Sequence, residues 1–153
     1  MKPELELYLE NFQGPTRGSK ALKMSCDGNS LFCLSKGTSI LSVRESEMIN
    51  TAIKQTDSNI SSNFIDFQPI KLQKTLTLSE SGELCIFDFL GKLQFKLEIT
   101  PSKKAIENGI KSFKNYEMTV CKNFKYVFVS CSIGEFLRTE LKIYEIHGSE
   151  VSP

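Results

Sequence analysis

The sequence predicts an all-β fold built from antiparallel, four-stranded, blade-like repeats. Three observations predict it. Apolar and polar residues alternate with a period of two along much of the chain. Glycine turns, Asp27-Gly28, Lys36-Gly37, Ser81-Gly82 and Leu90-Gly91, separate the alternating runs. Three segments look like copies of one unit. The same pattern leaves open a closed antiparallel barrel or a sandwich.

Composition sets the frame. The chain has 153 residues, 40% hydrophobic and 24% charged, with 19 Lys+Arg against 18 Asp+Glu. That suits a single domain and excludes a disordered chain, which would carry fewer apolar residues and more net charge. With 9 Gly, 5 Pro and a net charge of +1, a collagen-like or strongly nucleic-acid-like chain is excluded as well. No window approaches 18 apolar residues, and the acidic start Met1-Lys2-Pro3-Glu4-Leu5-Glu6 is unlike a signal peptide. The expectation is a protein of the cytoplasm, with the nucleus as the alternative, and no membrane partner.

The strands follow in order. Leu5-Glu6-Leu7-Tyr8-Leu9-Glu10 alternates as a half-buried strand does, with Glu4, Glu6 and Glu10 on a solvated face. Ser30 to Leu34, Thr75 to Leu78, Leu84 to Phe87 and Tyr126 to Val129 are short β-prone runs. Lys92 to Ile99 alternates strictly, and Leu141 to Ile146 closes the set. Two stretches have helical spacing. Ser46 to Lys54 carries Met48, Ile49, Ala52 and Ile53, and Pro101 to Lys114 carries Ile106, Ile110 and Phe113. Gly109 weakens the second, and either stretch has a loop or an outer strand as its alternative. Gln55 to Asn63 is polar and predicts a loop, in which Asn59-Ile60-Ser61 is a chance sequon.

The repeat units run from about 21 to 45, 63 to 99 and 116 to 146, with an insert at 100–115, all within one domain, 1–153. Val43, Phe87 and Tyr144 occupy the matched third strands. Ser25-Cys26-Asp27-Gly28 stands where a blade has its S-P-D-G turn, and Ile86-Phe87-Asp88 where it has V-W-D. On these residues the chain resembles the WD40-type β-propeller family, over about Ala21 to Ile146. The resemblance implies a rigid scaffold whose loops bind proteins; with strands for roughly three blades, the chain is expected as a piece of a longer propeller, a divergent or truncated product, or a partial ring completed by another chain. The chain has no Trp and no Gly-His dipeptide, so the family's Asp–His–Ser/Thr–Trp network is not carried over. Leu7-Tyr8-Leu9, Gly14-Pro15, Leu22 to Val43 and Phe64 to Pro69 are also similar to the opening of the propeller in the eukaryotic translation initiation factor 2A family. That likeness implies association with the ribosome or with RNA.

Chemistry is thinly represented. The five cysteines, Cys26, Cys33, Cys85, Cys121 and Cys131, form no C-x-x-C pair and are expected as reduced thiols, mostly in the core. His147, the only histidine, is expected on the surface beyond the last strand, so neither a catalytic triad nor a transition-metal site is expected. Gly14 to Lys20 has the wrong spacing for a phosphate loop and precedes a strand. Asp88 is expected to cap a turn. Scattered carboxylates such as Asp66, Glu80, Glu83 and Glu98 form no visible pair. One segment is basic with aromatics between: Lys103, Lys104, Lys111, Lys114, Lys122 and Lys125 among Phe113, Tyr116, Phe124 and Tyr126, diluted by Glu107 and Glu117. Lysines neutralise phosphates and exposed aromatics stack bases, so these six are the candidate contacts for a protein partner or RNA.

The expected function is a non-enzymatic protein–protein interaction scaffold, with no cofactor, metal or catalytic residue. Its contact loops would be Gly14–Lys20, Arg44–Asn63 and Pro101–Asn115. The alternatives are a ribosome- or RNA-associated initiation-factor module and a cytosolic barrel that binds an apolar ligand.

Overall fold

In a computed structural model, residues 22–25, 30–35, 39–44, 50–54, 62–134 and 139–153 are described. They form twelve strands: β1 (Leu22–Met24), β2 (Ser30–Ser35), β3 (Ser39–Arg44), β4 (Asn50–Lys54), β5 (Phe64–Ile70), β6 (Lys74–Ser79), β7 (Glu83–Phe87), β8 (Leu93–Glu98), β9 (Asn115–Val120), β10 (Tyr126–Ser132), β11 (Thr139–His147) and β12 (Glu150–Ser152). One short helix, α1 (Lys103–Glu107), lies between β8 and β9. The strands make three four-stranded antiparallel sheets, each with its strands in chain order. None of the three closes on itself, so the described strands do not form a single closed barrel.

The sheets stack face to face with the β5–β8 sheet in the middle. Its two faces bury different residues because side chains alternate across a strand. Leu76, Leu78, Leu84 and Ile86 pack against Met118, Val127, Val129 and Tyr144 of the β9–β12 sheet. Phe64, Phe67, Cys85 and Phe87 pack against Leu34, Ile40 and Ile53 of the β1–β4 sheet. Strand β7 is therefore buried at every position. That is why Leu84-Cys85-Ile86-Phe87 reads as a continuous apolar run, although its sheet is antiparallel. Each fully buried Leu or Ile contributes roughly 1.5–3 kcal/mol by its removal from water. The rings of Phe64 and Phe87 meet edge to face, 6.1 Å apart and at 88°.

Turn chemistry sets the registers. Asp88 Oδ1 accepts from the backbone N–H groups of Leu90 and Lys92 at 2.9 Å, and Oδ2 accepts from Gln94 Nε2 at 3.2 Å. This is the turn-forming role expected for Asp88. Ser25 binds Ser30 twice across the β1–β2 turn, donating its N–H to the Ser30 carbonyl and accepting the Ser30 N–H on its hydroxyl. Gly82 has φ +84 in the β6–β7 turn, and a Cβ there would come 2.4 Å from the Tyr116 ring of β9. Only glycine both turns the chain and seats the middle sheet against its neighbour.

Several expectations change. Within Ser46 to Lys54 the described residues form β4, the outer-strand alternative, and not a helix. Thr51 and Ile53 are β-branched, and the strand pairs with β3, with Ile53 opposite Ile40. The first four-stranded sheet therefore ends at Lys54. The helix within Pro101–Lys114 spans five residues, capped by the Ser102 hydroxyl and stopped before Gly109 at φ +86. Leu141–Ile146 does not close the set: β12 follows, and His147 is the last residue of β11, not a residue beyond the last strand. The Leu5–Glu10 run, Glu4, Cys26 and the Gly14–Lys20 loop lie outside the described residues. So does all of Arg44–Asn63 except Arg44, β4 and residues 62–63.

Candidate functional site

All six predicted lysines are exposed. Lys103 and Lys104 stand on α1, and Lys111 and Lys114 on the segment that leads into β9. Lys122 and Lys125 stand in the turn after β9. The six-residue strand between the two groups spans roughly 20 Å, so the structure gathers four lysines at one end and two at the other. The aromatics between them do not form a stacking platform. Phe113 and Tyr116 are buried and pack edge to face, 6.1 Å apart and at 84°. Tyr126 is half-buried with Lys125 Nζ 5.5 Å from its ring centre, a cation–π contact.

Beside this segment Glu140 ties α1 to β11. Its Oε1 accepts from the Ser102 hydroxyl at 2.7 Å, and Lys142 Nζ lies 3.4 Å from its Oε2. The Ser102 hydrogen bonds hold the Glu140 carboxyl below the usual carboxylate range, with help from Lys142. Ser102, Lys104, Ile110, Phe113 and Glu140 line a cavity of about 500 Å³ here.

The third sheet contrasts with the middle one. Val127, Val129, Cys131 and Tyr144 turn to the middle sheet and are buried. On the opposite face Leu141 is 63% and Ile143 51% exposed, and Phe128 is half-buried. The sequence carries a signal for this that the repeat pattern hides. Leu141 and Ile143 fall on odd positions, and Tyr144 and Ile146 on even ones, so one strand cannot bury all four on a single face.

One further pairing was not foreseen. Glu83, 3% exposed, makes a 2.7 Å ion pair with Lys96 and accepts from the Ser81 hydroxyl at 3.0 Å. Glu83 lies diagonally across the β7–β8 ladder from Lys96, a pairing that needs the register to be seen. The thiols divide by environment. Burial pushes Cys85 up to about 12 and Cys131 up to about 11, which leaves both unreactive core groups. Cys121 is partly exposed. Burial is the largest single influence and raises it, but the backbone N–H groups of Tyr126, Lys125 and Asn123 together outweigh that and hold it below the ordinary thiol value. His147 is exposed, with Nε2 3.4 Å from Glu145 Oε2.

Among the described residues no cluster of three or more His, Cys, Asp or Glu is placed to hold a metal ion. Among them, too, no helix is long and apolar enough to cross a membrane. No protein-family model matches the chain, and no curated protein matches it.

Proposed function

We propose that the chain is a non-enzymatic protein–protein interaction scaffold of WD40-like, propeller-type repeats, acting in the cytoplasm or nucleus. The observation that carries this reading is the uncovered face of the third sheet. Stacked sheets bury each apolar face against a neighbour, and here Phe128, Leu141 and Ile143 have none among the described residues. Consecutive four-stranded meanders stacked face to face are also how propeller blades pack. Free Cys85, Cys121 and Cys131 suit a reducing compartment.

The RNA- or ribosome-associated reading draws on the six exposed lysines. It is the weaker of the two, because Phe113 and Tyr116 are turned inward and the lysines fall into two groups.

Site-specific photo-crosslinkers at Phe128, Leu141, Lys104 and Lys111 of the full chain, activated in cells, separate the readings. The scaffold reading expects discrete protein adducts from Phe128 and Leu141. RNA adducts confined to Lys104 and Lys111, lost on charge reversal of Lys103, Lys104, Lys111 and Lys114, would replace it with the RNA reading.

A further inference from the structure

The two hairpin turns at one end of the middle sheet carry large apolar side chains into solvent. Leu72, between β5 and β6, is 74% exposed, and Phe89 and Leu90, between β7 and β8, are 67% and 73% exposed. Thr75 pairs with Phe87, so both turns lie at the same end. In a meander their tips are two strand spacings apart, roughly 10 Å.

The β5–β6 turn is a backbone outlier. Leu72 and Gln73 have φ +63 and +56. Consecutive residues at positive φ favour Asn and Gly, and a bulky apolar residue there is strained. Strain of this kind collects where a side chain has a task. The β7–β8 turn is held from inside. The Asp88 carbonyl accepts from the Gly91 N–H at 3.0 Å, and Asp88 Oδ1 accepts from the Leu90 and Lys92 N–H groups at 2.9 Å. These backbone groups are already paired, so they lose no partner on leaving water.

Lysines surround the tips. Lys71 precedes Leu72 and Lys92 follows Gly91, and both are exposed. The Lys74 ammonium donates to the Ser149 hydroxyl, which puts the β11–β12 turn beside the β5–β6 turn. The Ile146 N–H donates to the Lys125 carbonyl, which brings the turn with Lys122 and Lys125 to this end as well. These are the two lysines that stand apart from the α1 group. The carboxylates of the described residues here are Asp88, spent on its turn, Glu145, which lies 3.4 Å from His147, and the exposed Glu150.

Apolar tips on fixed turns, flanked by ammonium groups, match a bilayer surface, where the acyl boundary lies beneath negative headgroups. We infer that this end of the molecule docks on an anionic lipid bilayer. Leu72, Phe89 and Leu90 enter below the headgroups, and Lys71, Lys92, Lys122 and Lys125 meet the lipid phosphates and carboxylates. The sequence has no run long enough to span a membrane, and docking needs none. Ile70 pairs with Lys74 and Phe87 with Leu93 across the turns, so the surface offers side chains and no open ladder. The inference goes beyond the scaffold reading and stands without it.

The test uses the full chain and vesicles of phosphatidylcholine and phosphatidylserine at about two to one, against vesicles of phosphatidylcholine alone. The chain has no Trp, so Phe89→Trp places a single fluorophore at a tip. The expected result is water-exposed emission from the free chain, a blue shift on the anionic vesicles only, and quenching by brominated acyl chains. Lys122→Glu with Lys125→Glu, in the same background, should weaken binding roughly tenfold or more. Leu72→Asn should also weaken it roughly tenfold. Asn suits positive φ, so the melting temperature of that variant should not fall. No shift on anionic vesicles, a shift without acyl-chain quenching, or an equal shift on phosphatidylcholine alone overturns the inference. Emission shielded from iodide in the free chain also overturns it, because another part of the chain then covers the tips. A shift with polyglutamate but not with vesicles would overturn it in favour of an acidic protein surface. In every case crosslinking at Phe128 still decides the scaffold reading.

Discussion

The second and third sheets are built from the same meander but live in different surroundings. The β5–β8 sheet is covered on both faces, and its β7 is buried at all five positions. The β9–β12 sheet is covered on one face, and its β10 alternates between buried and half-buried residues. The difference lies in neighbours and not in strand chemistry: Tyr126-Val127-Phe128-Val129 is no less β-prone than Leu84-Cys85-Ile86-Phe87. A sheet in this stack is stabilised in proportion to the sheets beside it, so the third sheet gains from a further contact what the middle one already has.

The contrast can be broken at paired positions. Phe87→Ala, in the middle sheet, should cost about 4 kcal/mol, because it deletes a fully buried ring and leaves a cavity. Phe128→Ala, on the open face, should cost about 1 kcal/mol, since that ring is already partly in water. Denaturant titration of both variants measures the gap, and equal costs would mean that the two faces are equally covered. Lys96→Met is next, at about 2 kcal/mol. It strands Glu83, 3% exposed, without its ammonium partner. The loss falls below that of a fully buried pair because Lys96 is 34% exposed.

Ser102→Ala should cost about 1 kcal/mol by removing the α1 cap to the Ala105 N–H and the bond to Glu140. The same contact depends on pH. A depressed carboxylate stabilises fully above its unfolded value, near 4.3, and loses that contribution as pH falls through its lower folded value. The stability difference between parent and Ser102→Ala should therefore narrow below about pH 4, which paired melting curves across pH would show. Ile143→Lys should be the mildest, within about 0.5 kcal/mol in the isolated chain, because the side chain it replaces is half in solvent.

Much of the strand set was legible in the sequence. Strict alternation marks β8, and the apolar run marks β7. Asp88 is recognisable as a turn former because a carboxylate after a strand and before Gly91 can accept two backbone N–H groups. Strand β4 was ambiguous because Met48, Ile49, Ala52 and Ile53 also satisfy helical spacing, and pairing with β3 decided between them. Strand β12 was hidden because three residues are too few to show a period. The lysines were readable as exposed but not as two groups, since their separation depends on the length of β9. The open face was out of reach of periodicity, which says that Leu141 and Ile143 share a face but not whether another sheet covers it.

Residue-resolved amide exchange of the isolated full chain tests the central contrast most directly. The stacked-sheet account predicts that the Leu84–Phe87 amides exchange slowest, only through global unfolding. It predicts that along β11 the Leu141 and Ile143 amides, which alternate away from β10, exchange fast while Lys142 and Tyr144 stay protected. Uniform protection from Thr139 to Tyr144, or exchange in β7 as fast as in β10, would contradict it.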